Sequence, residues 1–199
     1  LHKAIRRQRQ MCIRDRSFTH MKIVCNKSDL VKGVNIVSKA VPGKTTMPIL
    51  ECILIDVYAD SIKLTANDLE IGIETILDGE VIEMGRIAIE AKLFNDIVRK
   101  LPNSEIFIET TPDYNTIIRC EKSKFVIPSK SGEDFTELPQ IEKEKSIELS
   151  QFSLKEIIRQ TIFSISDNEN NKLMTGELFE VKDGVLQVCL LYTSDAADE

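Results

Sequence analysis

The stretch GRIAIEAKLFNDIVRKLP, from Gly85 to Pro102, joins the pattern of a strand to the pattern of a helix. In its first part the isoleucines stand at every second position, which is typical of a strand. From Lys92 onward, apolar side chains recur every three or four residues, as on one face of a helix, and Pro102 ends this pattern. They are Leu93, Phe94, Ile97, Val98 and Leu101. The stretch therefore predicts a strand that leads directly into an amphipathic helix.

Similar strand and helix pairs precede and follow this stretch. MKIVC, from Met21, is followed by SDLVKGVNIVSKAV, for which Ser28 or Asp29 is the predicted helix cap. Further on, KSIELS is followed by QFSLKEIIRQTIFSIS. The predicted apolar stripes are Leu30, Val34, Val37 and Val41 in the first helix, and Phe152, Leu154, Ile157, Ile158 and Ile162 in the third. Alternating segments lie between the helices, so the repeat predicts an α+β fold in which helices pack against antiparallel sheets.

The repeat also predicts how the chain is divided. Residues 21–130 contain two repeat units and are expected to form one complete domain. The third unit, in residues 147–188, is expected to begin a second domain that is cut short. Between them, residues 131–146 are acidic and contain proline, which favours a connection between domains.

Residues 1–20 are expected to be an adapter-derived or other non-native extension, and residues 189–199 an adapter-derived tail. A DNA sequence can be written for Cys189–Glu199 whose complementary strand encodes Arg6–Asp15 in another reading frame. Inverted copies of one adapter at the ends of a DNA fragment produce this relationship. Neither end is then expected to belong to the fold.

Without these ends the chain has 20 basic and 28 acidic residues, a net charge of −8. It has no histidine, which removes the commonest general base and any zinc site that contains histidine. Cys25, Cys52 and Cys120 lack CxxC spacing and are expected to be buried thiols. We expect no metal and no cofactor. Because no apolar run is long enough to span a membrane and no signal-peptide core follows Met21, we expect a cytoplasmic protein.

Two motifs suggest phosphate or acid–base chemistry but lack its spacing. VPGKTT, with Gly43 and Lys44, matches the end of a phosphate-binding loop. However, Ser38 stands where that loop needs a glycine, and the motif follows a helix instead of preceding one. In TANDLEIGIE, Glu70 and Glu74 alternate with apolar residues, as on a half-exposed strand. These patterns count against nucleotide hydrolysis. They favour a loop that presents Lys44 and a separate strand whose carboxylates are solvated.

Each predicted helix carries more basic than acidic side chains on its polar face. The basic residues are Lys27, Lys32 and Lys39 in the first helix, Lys92, Arg99 and Lys100 in the second, and Lys155 and Arg159 in the third. Mixed charge is common on a solvated helix face. A cationic excess on three equivalent helices of an acidic protein instead suggests a shared basic surface.

Five segments, in order, resemble the bacterial DNA polymerase III beta subunit family, the replicative sliding clamps. They are TTMPIL, LTANDLEIGIE, EAKLFNDIVRKLP, KFVIPSKSGEDFTELP and MTGELFEV, and the similarity runs from Met21 to Val188. The resemblance implies a ring formed by a head-to-tail dimer of three-domain subunits. Helices would line the hole of this ring and sheets would form its rim.

The resemblance also implies a binding protein without catalytic residues. The ring would encircle duplex DNA, tether the replicative polymerase and be placed on DNA by a clamp loader. Basic side chains inside the ring would contact phosphates without reading bases. The expected DNA contacts are Lys27, Lys32, Lys39, Lys44, Lys92, Arg99, Lys100, Lys155, Arg159 and Lys172.

Two protein interfaces follow from the same resemblance. The edge strand in KSKFVIP is expected to pair with the partner subunit of a homodimer. The residues expected there are Lys122 and Lys124 for charge contacts, and Phe125 and Ile127 for apolar contacts. Met174 is expected to line the groove for partner peptides. Near it, Asn171 and Lys172 depart from the family's Arg-Pro pair.

Two other interpretations stay open at this point. A small phosphate-handling enzyme would use Lys44 and the nearby carboxylates, but the missing histidine and the reversed loop count against it. An unrelated α+β interaction domain would give the helix faces no common sign of charge, whereas all three are net positive.

Overall fold

The structure, a computed structural model, describes residues 20–139, 146–166, 172–182 and 184–190. The chain divides into two compact units after Pro139. The segments expected to be adapter lie outside the described residues, except for His20, Cys189 and Leu190. Within the described ranges, no helix has the length and apolar character of a membrane span.

The first unit consists of two similar halves, each of which begins with a strand and a helix and continues with further strands, four in the first half and three in the second. The first half contains β1 (Lys22–Asn26), α1 (Lys27–Val37), β2 (Cys52–Val57), β3 (Ile62–Asn67), β4 (Gly72–Leu77) and β5 (Gly79–Glu83). The second half contains β6 (Gly85–Glu90), α2 (Ala91–Lys100), β7 (Glu105–Thr110), β8 (Asn115–Cys120) and β9 (Ser123–Ser131). Short 3₁₀ turns at Ser38–Ala40 and Gly132–Asp134 follow α1 and β9. Each half is therefore a strand, a helix and a run of further strands, as the repeat predicts.

The two halves pair with each other in equivalent ways. β1 pairs with β7, the first strand after α2, and β6 pairs with β2, the first strand after α1. The first strand of each half also pairs with the last strand of the same half, β1 with β5 and β6 with β9. All the pairs are antiparallel, and the strand order is β4-β3-β2-β6-β9-β8-β7-β1-β5. The strands of both halves are therefore needed to form this nine-stranded sheet.

Both helices begin directly at the end of a strand and have no side-chain cap. The predicted cap at Ser28 or Asp29 is wrong, because α1 already begins at Lys27. The Lys27 N–H donates to the Ser104 carbonyl at 3.3 Å. Equivalently, the Ala91 N–H of α2 donates to the Glu51 carbonyl at 2.9 Å. Backbone carbonyls from neighbouring connections thus replace the capping side chains.

One apolar core lies between the helices and the sheet. The predicted stripes are confirmed for Leu30, Val34 and Val37 in α1 and for Phe94, Ile97, Val98 and Leu101 in and after α2, all of which are buried. Val41 is only partly buried. Leu93, which is predicted to lie on the same stripe, is instead 36 % exposed. Ala91 is buried, because the apolar stripe of α2 passes through Ala91 and Phe94. Leu93 lies beside this stripe.

The segment after β9 covers part of the outer face of the sheet. Phe135 is 3 % exposed and packs with Cys52, Leu54 and Ala88. Arg86 Nη1 donates to Glu137 Oε1 at 3.1 Å. The first part of the predicted interdomain connection therefore packs on the first unit, while residues 140–145 lie outside the described residues.

The second unit contains α3 (Gln151–Thr161), β10 (Glu177–Lys182) and β11 (Val185–Leu190), with 3₁₀ turns at Ile162–Ser164 and Lys172–Thr175. Ser150 caps α3, accepting a hydrogen bond from the Ser153 N–H at 3.0 Å. The strands β10 and β11 form an antiparallel hairpin. The apolar stripe predicted for α3 is not buried: no α3 side chain is in the buried class, and Phe152 is 74 % exposed.

Gly79 lies where β5 meets β1, and it has no room for a side chain. An added Cβ would lie 2.6 Å from the Val24 carbonyl oxygen and 3.0 Å from Ile62 Cδ1. Because a backbone atom is in the way, we expect Gly79→Ala to lower the free energy of unfolding by about 1–3 kcal/mol. Urea unfolding of the full chain measures this change. In the control, Gly43→Ala, the added Cβ has no neighbour within 4 Å. Equal stabilities of the two variants would contradict the prediction.

Candidate nucleic-acid interface

The helices α1 and α2 lie side by side on the same face of the sheet. Gly33 allows α1 to approach β3 closely, since a Cβ there would lie 2.9 Å from Leu64 Cδ1. The apolar faces of both helices are buried in one core. Their polar faces are therefore brought together on the side away from the sheet.

Charge is unevenly distributed in the first unit. The two helices with the turn Ser38–Ala40 contain six basic and two acidic residues, net +4. The rest of residues 21–139 contains eight basic and 17 acidic residues, net −9. We call the exposed basic side chains of Lys32, Lys39, Lys92, Arg99 and Lys100 the helix surface. It is a cationic surface on an acidic body, which is the arrangement expected of a surface that attracts a polyanion.

Most of the helix surface is open to solvent. Within the described part of the chain, Lys39, Lys92 and Lys100 form no ion pair. Lys32 Nζ lies 3.4 Å from Asp29 Oδ1, and an exposed pair of this kind is weak, about 1 kcal/mol or less. A binding partner would therefore lose little free energy in displacing existing ion pairs of these cations.

Lys27 is placed differently from the other predicted DNA contacts. It is partly buried, and its ammonium group donates to the carbonyl of Leu101 at the C-terminus of α2. A cation beside the last carbonyls of a helix is stabilising because it opposes the negative end of the helix dipole. This position makes Lys27 a link between the two helices and does not support its predicted DNA contact.

Lys44 is exposed in the loop of residues 41–51, which follows the 3₁₀ turn after α1 and precedes β2. No helix begins in this loop, so it lacks the helix N-terminus of a phosphate-binding loop. Its second part is held in place, since Lys130 Nζ donates to the Pro48 carbonyl at 2.7 Å. No atom lies within 4 Å of a Cβ added at Gly43. The loop therefore presents Lys44 at an open tip.

The second unit carries the remaining predicted contacts. Lys155 and Arg159 are exposed on α3, and Arg159 Nη2 lies 2.8 Å from Glu156 Oε2. Met174, the predicted groove residue, is exposed. Asn171 and the side chain of Lys172 lie outside the described residues.

One edge of β9 is open. On one side, β8 pairs with β9 from Ser123 to Pro128, whereas on the other side β6 reaches only Ser129–Ser131. Residues 123–128 thus have no strand on their second side within the described part, and such an edge is a template for another strand.

The side chains at this open edge differ from the prediction in one respect. Lys122, Lys124 and Phe125 are exposed. Ile127, however, is 4 % exposed and belongs to the core, so an apolar contact with a partner is not open to it. Val126 is 57 % exposed and is the apolar residue that the sequence interpretation missed. Since side chains alternate along a strand, burial of Ile127 directs Val126 outward.

The described residues include possible metal ligands and thiols. None of their His, Cys, Asp and Glu side chains form a group of three or more that could hold a metal ion. Burial, with a further contribution from Asp29, raises the pKa of Cys25 to about 12. Burial also raises the pKa of Cys52 and of Cys120. These thiols stay protonated near neutral pH and are poor nucleophiles.

The carboxylates of TANDLEIGIE stabilise a turn and a strand. Asp68 Oδ1 accepts hydrogen bonds from the N–H groups of Ile71 at 2.6 Å and Glu70 at 2.9 Å, which lowers its pKa. Glu74 Oε2 lies 3.3 Å from Lys63 Nζ on the neighbouring strand. Asp68 thus stabilises the turn between two strands, and Glu74 pairs with a cation across them.

Comparison with known proteins identifies relatives of the chain. Residues 21–139 match the family model of the DNA polymerase III beta subunit, N-terminal domain. A beta sliding clamp from Halalkalibacterium halodurans is 38 % identical over 174 residues, which cover 83 % of this chain and 46 % of that protein. A beta sliding clamp from Bacillus subtilis is 36 % identical with the same coverage. The chain spans about half the length of the curated relatives it matches.

The solved structures that resemble the chain belong to the same family. A DNA polymerase III beta subunit from Eubacterium rectale has a TM-score of 0.81 and 62 % identity, covering 84 % of this chain and 46 % of that chain. The DNA polymerase sliding clamp from Bacillus subtilis has a TM-score of 0.81 and 34 % identity, covering 85 % and 47 %. The predicted α+β clamp fold is confirmed by these neighbours.

We expect removal of charge from the helix surface to weaken both the binding of duplex DNA and the dependence of that binding on salt. In the full-length protein that carries this segment, Lys92→Gln/Lys100→Gln should reduce the slope of log affinity against log salt. The reduction should be about 0.9 for each phosphate that is no longer neutralised, because each neutralised phosphate releases condensed counterions. Fluorescence anisotropy with duplexes of unrelated sequence measures the slope at several salt concentrations.

The matched control is Lys63→Gln/Arg119→Gln. It removes two positive charges that lie on the sheet, in ion pairs with Glu74 and Glu109. The control should keep the slope of the unaltered protein. Equal slopes for the two double variants would show that the helix surface has no special part in binding.

Proposed function

The chain belongs to the DNA polymerase III beta subunit family, and on that basis we propose that it forms part of a DNA sliding clamp. The full protein would be a non-catalytic ring of the cytoplasm that encircles duplex DNA and tethers the replicative polymerase. Tethering keeps the polymerase at a high effective concentration at the primer end. No cofactor is needed for such a role.

The observation that carries this proposal is the separation of charge between helices and sheets. The helix surface offers lysine and arginine side chains, which contact phosphates without selecting a base sequence. The remainder of the first unit is net negative and repels the same phosphates. Duplex DNA of any sequence would therefore be attracted to the helices and kept from the sheets.

Lys44 would add a phosphate contact from the open loop beside the helices, and Lys155 and Arg159 would contribute from the second unit. Each contact is individually weak in salt solution because it is exposed. Weak contacts suit a protein that must move along DNA, since retention would come from closure of the ring instead of from affinity.

The open edge of β9 would close the ring in a homodimer. A strand of the partner subunit would pair with residues 123–128, adding main-chain hydrogen bonds to the sheet. Lys122 and Lys124 would supply charge contacts, and Phe125 and Val126 would supply apolar contacts. The first unit would be one complete clamp domain, and the second unit would begin the next domain.

Polymerase and clamp loader are the proposed protein partners. Exposed Met174 would contribute to the groove for their peptides. Its backbone carbonyl accepts a hydrogen bond from the Ser166 N–H at 2.9 Å, which ties the turn before β10 to the segment after α3.

Retention on closed DNA tests the proposed function. The gene is sequenced beyond both ends of this chain, and its full product is loaded onto nicked circular DNA by the clamp loader. Gel filtration then measures the bound protein before and after a restriction enzyme linearises the DNA. We expect retention on circles and rapid dissociation from linear DNA. Equal retention on both forms would reject a ring.

An interface variant sharpens this test. Lys122→Glu/Lys124→Glu reverses the charge at the proposed dimer edge and should abolish retention on circles, with monomers seen in sedimentation. The control Lys63→Glu alters charge on β3, away from β9, and should be retained. Full retention of the edge variant would show that another surface closes the ring.

A further inference from the structure

We propose that Asn35 is a positioning residue that holds the Arg99 guanidinium ready for a DNA phosphate without neutralising its charge. This inference rests on the proposed function. It concerns one hydrogen bond between α1 and α2, the two helices that carry the helix surface.

The bond joins residues that are distant in sequence. Arg99 Nη2 donates to Asn35 Oδ1 at 2.8 Å across the two helices. Asn35 is half-buried and Arg99 is exposed. A guanidinium has five N–H groups, so one bond to Asn35 leaves donors free for a second acceptor. A side chain that is already oriented loses less conformational freedom when a phosphate binds.

Arg99 differs in its partner from every other arginine in the described part of the chain. Arg86 Nη1 lies 3.1 Å from Glu137 Oε1, Arg119 Nη1 lies 2.7 Å from Glu109 Oε1, and Arg159 Nη2 lies 2.8 Å from Glu156 Oε2. Each of these three arginines therefore lies beside a carboxylate of opposite charge. The Asn35 amide orients Arg99 in the same way but leaves its full positive charge.

A carboxylate is present nearby in the sequence but is not used. Asp96 stands three residues before Arg99 on α2, a spacing at which opposite charges commonly pair. Among the described residues, however, no ion pair joins Asp96 to Arg99. The guanidinium reaches across to the other helix instead.

A second link fixes the backbone at the same place. The Lys27 ammonium on α1 donates to the Leu101 carbonyl, two residues after Arg99. The end of α2 is thus tied to α1 by Lys27, and the Arg99 side chain is tied to α1 by Asn35. Together they set where this cation lies on the helix surface.

A double-mutant cycle tests the inference in the full-length protein. Affinity for a short duplex is measured by fluorescence anisotropy at about 50 mM salt. Arg99→Ala should weaken binding roughly tenfold, as expected for one phosphate contact at this salt concentration. Asn35→Ala should weaken binding less, roughly threefold. The double variant should bind no more weakly than Arg99→Ala alone, because Asn35 acts only through Arg99.

Two further variants separate positioning from packing. Asn103→Ala removes an exposed asparagine in the connection after α2 and should leave affinity unchanged. Asn35→Asp keeps an acceptor for Arg99 but cancels its charge, so it should bind more weakly than Asn35→Ala. Thermal unfolding of each variant verifies that the comparison is made between folded proteins.

The outcomes distinguish this inference from the proposed function. If Arg99→Ala weakens binding but Asn35→Ala does not, or if their effects multiply in the double variant, positioning by Asn35 is rejected. If Asn35→Asp binds more tightly than Asn35→Ala, the need for an uncancelled charge is rejected. If Arg99→Ala and Lys92→Gln/Lys100→Gln both bind like the unaltered protein, the helix surface does not bind DNA and the inference is rejected. Failure of the proposed ring is seen separately, as equal retention on circular and linear DNA.

Discussion

The pairing of β1 with β7 and of β6 with β2 is the constraint on which the rest of the first unit depends. Each of these pairs joins one half of the unit to the other, and each half begins with a strand that runs directly into a helix. Once the halves are interlocked in this way, α1 and α2 must lie on the same face and share one core. Contacts such as the one between Arg99 and Asn35 exist only because of that arrangement.

The same arrangement has an electrostatic cost. Bringing two net positive helices together places like charges near one another, and this self-repulsion opposes folding. Three features offset it: the buried apolar faces of both helices, the Lys27 ammonium at the carbonyl end of α2, and the amide bridge from Asn35. Most acidic residues of the first unit are instead found on the strands and turns, where Glu74 and Glu109 pair with the sheet cations Lys63 and Arg119. Stability and charge separation are thus supplied by different parts of the molecule.

Sequence periodicity was sufficient for the order of elements and for most of the core, because alternation and helical spacing report directly on burial. It failed where the deciding contact is distant in sequence. The Ser104 carbonyl accepts a hydrogen bond from the first N–H of α1, and the Leu101 carbonyl accepts one from the Lys27 ammonium. Both acceptors lie far from Lys27 in the sequence. The resemblance likewise indicated the β9 edge, but the choice between Val126 and Ile127 depends on which face of that strand meets the core. The apolar stripe of α3 shows the same limit: a pattern can indicate an amphipathic helix without indicating what covers it.

The most direct measurement is the reactivity of individual lysines in the full-length protein, with and without closed circular DNA. Brief acetylation followed by mass spectrometry gives a rate for each side chain. We predict that bound DNA slows acetylation of Lys32, Lys39, Lys92 and Lys100 and leaves Lys63 and Lys130 unchanged. Equal slowing of all six lysines, or slowing confined to Lys63 and Lys130, would contradict a DNA-facing helix surface.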